Sequence, residues 1–108
     1  MALLMVIIET PIFTKLIKEL MSDNEYKALQ EALVCRPDLG EIIQGSGGLR
    51  KVRWRLEGRG KQGGVRAIYY WVVDNDQLRM LYVYPKSQKS DLTQEQLKQL
   101  RVIVERWQ

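Results

Sequence analysis

The chain has 108 residues, 45% of them hydrophobic, with 17 basic and 13 acidic side chains for a net charge of +4; this is enough for one domain, residues 1–108, with one sizeable core. It has no histidine and a single cysteine, which excludes an internal disulfide, an ordinary zinc centre and histidine-based acid–base catalysis. No apolar run reaches the roughly 20 residues of a membrane span, so a soluble cytoplasmic protein without metal, cofactor or membrane partner is expected.

The opening MALLMVII is apolar but lacks a basic leader and soon meets Glu9, Thr10 and Pro11, so it reads as a buried strand rather than a signal peptide. Met5 serves as well as Met1 for a start and leaves MVIIE as that strand. Thr10 followed by Pro11 is a helix cap with proline in the first turn, after which Phe13, Leu16, Ile17 and Leu20 recur at helical spacing. Ser22 to Glu25 forms a capping box for a second helix, whose apolar set Tyr26, Leu29 and Leu33 continues until Arg36 meets Pro37. The short connection predicts an antiparallel helix pair. Cys35 lies in the same apolar pattern and reads as a small core residue.

PDLGEIIQGSGG is irregular, and seven of the 8 glycines lie between Gly45 and Gly64. LRKVRWRL predicts a strand with Val52, Trp54 and Leu56 toward the core and Lys51, Arg53 and Arg55 together on the other face. The next stretch contains GRGKQGGV, which matches the spacing of a phosphate-covering glycine loop. A strand rather than a helix follows it, and no later motif completes a nucleotide-binding enzyme, so it reads as a basic hairpin loop carrying Arg59 and Lys61. VRAIYYWVV is apolar at nearly every position after Arg66, as a central strand covered on both faces should be, and Tyr69, Tyr70 and Trp71 read as packing rather than as base-stacking platforms. The turn Asp74 to Asp76 leads into LRMLYVYP, completing a hairpin. A second capping box at Thr93 to Gln96 opens a helix with Leu97, Leu100, Val104 and Trp107 on one stripe. The order is β-α-α-β-β-β-α, an α+β fold.

Positive charge is concentrated in the middle of the chain: Gly45 to Lys89 holds 10 basic and 3 acidic residues, whereas Met1 to Gln44 holds 4 and 7. Cations on one strand face lack the nucleophile, base and orienting acid that peptide or ester hydrolysis needs. They suit a phosphodiester, whose growing negative charge they neutralise, and RNA brings its own nucleophile in the 2′-hydroxyl. The residues alone slightly favour a plainer reading, in which Lys51, Arg53 and Arg55 bind a phosphate backbone or an acidic protein without chemistry.

GLRKVRW, a glycine-rich basic hairpin, GGVRAIYY and then LYVYPKSQKSDLT before a C-terminal helix resemble, in that order and over nearly the whole chain, the RelE/HigB branch of bacterial toxins from type II toxin–antitoxin modules. The resemblance implies a microbial ribonuclease-like RelE fold, a small, mainly antiparallel twisted sheet with two N-terminal helices packed on one face. It also implies ribosome-dependent, metal-independent cleavage of mRNA in the A site by 2′-hydroxyl attack. It places Lys51, Arg53 and Arg66 in the family's strand-borne basic site, and Tyr84 and Lys86 in a second group of catalytic candidates. Arg50, Arg55, Arg59, Lys61 and Lys89 become candidates for binding RNA or ribosome. A structural ion pair is the alternative for Arg66. Two departures stand out: Ser87 falls where RelE has an arginine, and Thr93 where its C-terminal catalytic tyrosine sits, which leaves the general base unassigned and Tyr84 as the alternative proton-transfer group. Expected partners are the ribosome, mRNA and a cognate antitoxin of the HigA helix-turn-helix type, through which alone operator DNA is reached. The alternatives are a non-catalytic ParE-like inhibitor of DNA gyrase, against which the retained basic set speaks, and an inactive relative that acts as antitoxin co-repressor.

Overall fold

The computed structural model describes residues 5–56, 63–88 and 91–107. Along these residues run β1 (Val6–Glu9), α1 (Pro11–Leu20), α2 (Asp23–Cys35), β2 (Glu41–Ile42), β3 (Arg50–Trp54), β4 (Val65–Val72), a 3-10 turn (Val73–Asn75), β5 (Gln77–Pro85) and α3 (Gln94–Arg106). The strands form one sheet in the order β1-β5-β4-β3-β2, with β1 parallel to β5 and every other pairing antiparallel. The α+β architecture and the leading pair of helices follow the sequence expectation. The two-residue strand β2 is additional: it pairs Glu41 and Ile42 with Lys51 and Arg50 in a stretch that reads as irregular.

Alternation along the strands sends side chains to two separate cores. Phe13, Ile17, Leu29 and Leu33 of α1 and α2 pack with Val52, Val65, Ala67, Tyr69, Leu78, Met80 and Val83 on one face of the sheet. Leu97, Leu100 and Val104 of α3 pack with Leu49, Ile68, Leu81 and Tyr84 on the other. The central strand β4 is thus covered on both sides. Trp54 is half-buried against the first core, and the Phe13 and Tyr26 rings lie 5.8 Å apart where α1 meets α2. Cys35 corrects the expectation: it is exposed. It is the last residue of α2, two positions beyond Leu33, which at about 100° per residue turns it away from the Leu29–Leu33 stripe.

All three helix starts use their sequence caps. Thr10 accepts from Phe13 N–H at 3.1 Å, and the Ser22–Glu25 and Thr93–Gln96 capping boxes are both complete. Thr10 has a second task. Residue Leu81 has no partner in the β4–β5 register, which steps from Ile68↔Tyr82 to Tyr69↔Met80, so it forms a bulge. Thr10 Oγ1 donates to the Leu81 carbonyl at 2.8 Å, and Thr10 N–H donates to Met80 O at 3.0 Å, tying the start of α1 to this irregularity.

The buried Tyr69 hydroxyl pins the loop after α2. It donates to Pro37 O at 2.7 Å and accepts from Gly40 N–H at 2.8 Å. Any side chain on Gly40 would come within 2.7 Å of the Tyr69 ring. Burial pushes the Tyr69 phenol above its ordinary pKa. At the far end of the sheet, Arg79 donates to Trp107 O at 2.8 Å and lies over the Trp107 ring at 5.4 Å, so a cation closes the C-terminus of α3.

Replacing Thr10 with Val keeps the shape but removes both the helix cap and the partner of a buried carbonyl. We expect Thr10→Val to lower unfolding free energy by about 2–3 kcal/mol, the sum of a lost cap and an unsatisfied buried acceptor, while Thr10→Ser costs less than about 1 kcal/mol. Urea unfolding with an unchanged slope measures the difference; a loss for Ser with none for Val would assign the role to the methyl group instead.

Candidate active site

The face of the sheet that carries α3 also carries the cations. Lys51 and Arg53 on β3 point to it by strand parity, opposite to Val52 and Trp54. Arg53 stands directly across from Arg66 on β4, and Arg66 directly across from Tyr84 on β5. Arg53, Arg66 and Tyr84 therefore form one row across three strands. Lys51 sits in the next row of that face, across from Ile68, whose other neighbour is Tyr82. Like charges directly opposed across strands destabilise a sheet, so the Arg53–Arg66 pairing is placed against local stability.

Arg53 is exposed, whereas Arg66 and Tyr84 are buried, at 8% and 1% exposure. Burial raises the Tyr84 phenol above its ordinary pKa; the Arg66 charge opposes this, Asp91 adds to it, and a hydrogen bond with Arg66 and the Arg53 charge oppose it further. Two adjoining pockets make the groove. One, about 290 Å³, is lined by Arg53, Arg55, Gly64, Arg66 and Lys86. The other, about 270 Å³, is lined by Lys51, Ile68, Tyr84, Asp91 and Leu92. Lys86 is held at the rim because its N–H donates to Gly64 O at 3.0 Å.

The structure thus brings together Lys51, Arg53, Arg55, Arg66, Tyr84 and Lys86. It does not bring Arg50 to them. Arg50 shares the parity of Val52, donates to Gly40 O at 2.8 Å and lies over the Trp71 ring at 5.9 Å, on the α1–α2 side of the sheet. Arg59, Lys61 and Lys89 lie outside the described residues, as does most of the glycine loop. Ser87 is exposed in the turn after β5, and the Thr93 hydroxyl accepts from Gln96 N–H as the α3 cap, so it serves the helix. Among the described residues, no group of three or more His, Cys, Asp or Glu side chains is placed to hold a metal ion.

Sequence reasoning missed one residue of this groove. Asp91 forms an ion pair with Lys51, and the hydrogen bond from Lys51, then its charge, hold the Asp91 carboxyl below its ordinary range. The motif LYVYPKSQKSDLT contains Asp91, but only the fold brings positions 51 and 91 together; the signal available was a lone acid in an otherwise basic stretch.

A five-stranded mixed sheet with two helices on one face, one on the other and a cation-lined groove beside the latter defines a small basic α+β protein. Residues 5–108 match the family model described as the RelE toxin of the RelE/RelB toxin–antitoxin system, and the chain belongs to that family. Its fold is similar to that of a double arginine-to-alanine mutant of Escherichia coli toxin RelE in the free state, with 12% identity, a TM-score of 0.60 and coverage of 93% of this chain and 96% of that one. It is also similar to the isolated E. coli RelE toxin, with 14% identity, a TM-score of 0.58 and coverage of 93% and 99%. The chain is accordingly a toxin of a toxin–antitoxin pair, in the class of ribosome-dependent mRNA endoribonucleases.

The two faces predict opposite phenotypes for neighbouring arginines. Arg53→Ala, at an exposed position, should abolish toxicity and shift unfolding free energy by no more than about 0.5 kcal/mol. Arg50→Ala should leave toxicity in place and cost about 1–2 kcal/mol through the lost carbonyl contact and ring stacking. Growth arrest on expression, paired with urea unfolding, reads both; a toxic Arg53→Ala variant would remove the groove from the activity.

Proposed function

We propose that this chain itself cleaves mRNA, on the ribosome, within the groove formed by Lys51, Arg53, Arg66, Tyr84 and Lys86. The observation that carries the reading is the cross-strand row Arg53–Arg66–Tyr84 with Lys51 beside it, a cluster of cations around one hydroxyl proton donor. The 2′-oxygen of a nucleotide, its proton passing to solvent water, attacks the adjacent 3′-phosphorus, the bond from that phosphorus to the next nucleotide's 5′-oxygen breaks, and the products are a 2′,3′-cyclic phosphate and a 5′-hydroxyl. Arg53, Arg66 and Lys51 stabilise the charge that grows on the non-bridging oxygens. Burial raises the Tyr84 phenol and so disfavours the phenolate, which speaks against Tyr84 as the base for the 2′-hydroxyl and leaves it the proton donor to the departing 5′-oxygen. Arg55 and Lys86 at the rim hold the flanking phosphates.

This equipment stabilises a pentacovalent phosphorus but does not impose in-line geometry on flexible RNA. A codon held in the decoding site supplies it, and such orientation contributes about 7–11 kcal/mol in favourable cases. The cognate antitoxin is proposed to be of the HigA helix-turn-helix type, on the strength of the sequence resemblance, with operator DNA reached only through it. Residues 1–108 are proposed to act as one domain in the cytoplasm; among the described residues no helix is long and apolar enough to cross a membrane.

Purified protein should therefore cut mRNA on ribosomes with a filled P site and an open A site, and leave the same RNA free in solution largely intact. Products should carry a 2′,3′-cyclic or 3′-phosphate and a 5′-hydroxyl, and EDTA should act only through the ribosome. Primer extension combined with end-group analysis checks this; efficient cutting of naked RNA, or a 5′-phosphate end, would overturn the mechanism.

A further inference from the structure

We propose that the Asp91 carboxylate is an internal stand-in for the substrate phosphate: in the free protein it occupies the anion position beside Lys51, and RNA must displace it to engage the groove. The proposal rests on the reading of the groove as an RNA phosphate site. Among the described residues, Asp91 is the only acidic one lining either pocket of the groove, and it is bonded to Lys51 across 40 residues of chain. The two partners are differently placed. The Lys51 side chain is 13% exposed and belongs to the sheet, whereas that of Asp91 is 70% exposed and belongs to the connection before α3. The carboxylate thus approaches the fixed cations from the solvent side, the direction from which a phosphate group arrives. The charges of Arg66 and Arg53 act on it in the same sense as that of Lys51, so it lies in the combined field of all three.

Stability does not account for this contact, because an ion pair with one partner so exposed contributes little to folding. What it does is neutralise, in the absence of RNA, a cluster that includes the directly opposed Arg53 and Arg66. The same weakness makes it a brake and not a lock. Incoming RNA brings several phosphates in place of one carboxylate, and the exposed side chain is free to turn to water when they arrive. Leu92 packed against the second core and Thr93 capping α3 keep the acid close to its position between binding events.

The test uses ribosomes programmed with an mRNA whose A-site codon is 2′-O-methylated, which blocks the attacking group and allows binding to be measured without cleavage. Asp91→Asn removes the charge at constant shape; Asp91→Ala removes the group; Asp91→Glu keeps the acid. Relative to the unaltered chain, Asn and Ala should tighten binding about two- to fivefold, the range expected when a competing exposed ion pair is lost. The slope of log affinity against log salt should steepen by up to about 0.7 as one further cation becomes available to phosphate. Asp91→Glu should stay close to the unaltered chain in both respects. Unchanged or weaker binding by Asn and Ala, with cleavage of ordinary mRNA still dependent on Arg53, overturns the stand-in and leaves the proposed function intact. If neither the unaltered chain nor any variant binds programmed ribosomes, the reading of the groove fails and the stand-in falls with it.

Discussion

Arg53 and Arg66 face each other across β3 and β4, and their mutual repulsion is a constraint the rest of the molecule has to meet. Opposed like charges weaken a strand pair at that point, and here they sit one pair from the end of the β3–β4 ladder, next to Trp54↔Val65. The sheet tolerates the pairing because the adjoining positions are strongly anchored. Val65, Ala67 and Tyr69 alternate with Arg66 and Ile68 and lock into the α1–α2 core, while Ile68 locks into the α3 core. A strand covered on both faces has its register fixed by hydrophobic burial, so the repelling pair has no cheaper arrangement to slip into. The site is a local violation held in place by consistent surroundings, which is the pattern expected of a functional centre.

The other basic side chains divide between structural and groove positions. Arg50 and Arg79 are structural cations: each finds a carbonyl and the face of a tryptophan, and each ties a chain segment to the sheet. Lys51 and Arg53, adjacent to Arg50 in sequence, are left to the groove. One residue of strand phase separates a side chain that ties a chain segment to the sheet from one that faces the groove.

Much of this was legible in the sequence because it depends on short-range rules. Capping boxes at Ser22 and Thr93, proline after Thr10, and the alternation Val52–Trp54–Leu56 against Lys51–Arg53–Arg55 are local patterns, and each appears in the structure where the pattern puts it. Most of what escaped had long-range causes. β2 is two residues long and exists only because β3 offers it an edge. Cys35 shares the apolar run of α2 but falls off its buried stripe at the final turn. Arg50 belongs to the same basic cluster as Lys51 and Arg53 in composition, and only the contacts with Gly40 and Trp71 show why it points elsewhere. The Lys51–Asp91 pair joins residues 40 positions apart, a distance over which one sequence carries no pairing information.

The extra residue at Leu81 acts as a phase shifter in β5. Before it, even-numbered Leu78 and Met80 face α1 and α2; after it, Val83 takes that face and even-numbered Tyr84 is turned to the groove. The strand is therefore two modules read in different frames, an upstream half in register with β1 and a downstream half in register with the site. Removing that single residue would rotate Tyr84 into the opposite core while leaving every cation on β3 and β4 where it is. Thr10, which occupies the bulged carbonyl, thus secures the frame in which the distant tyrosine is read.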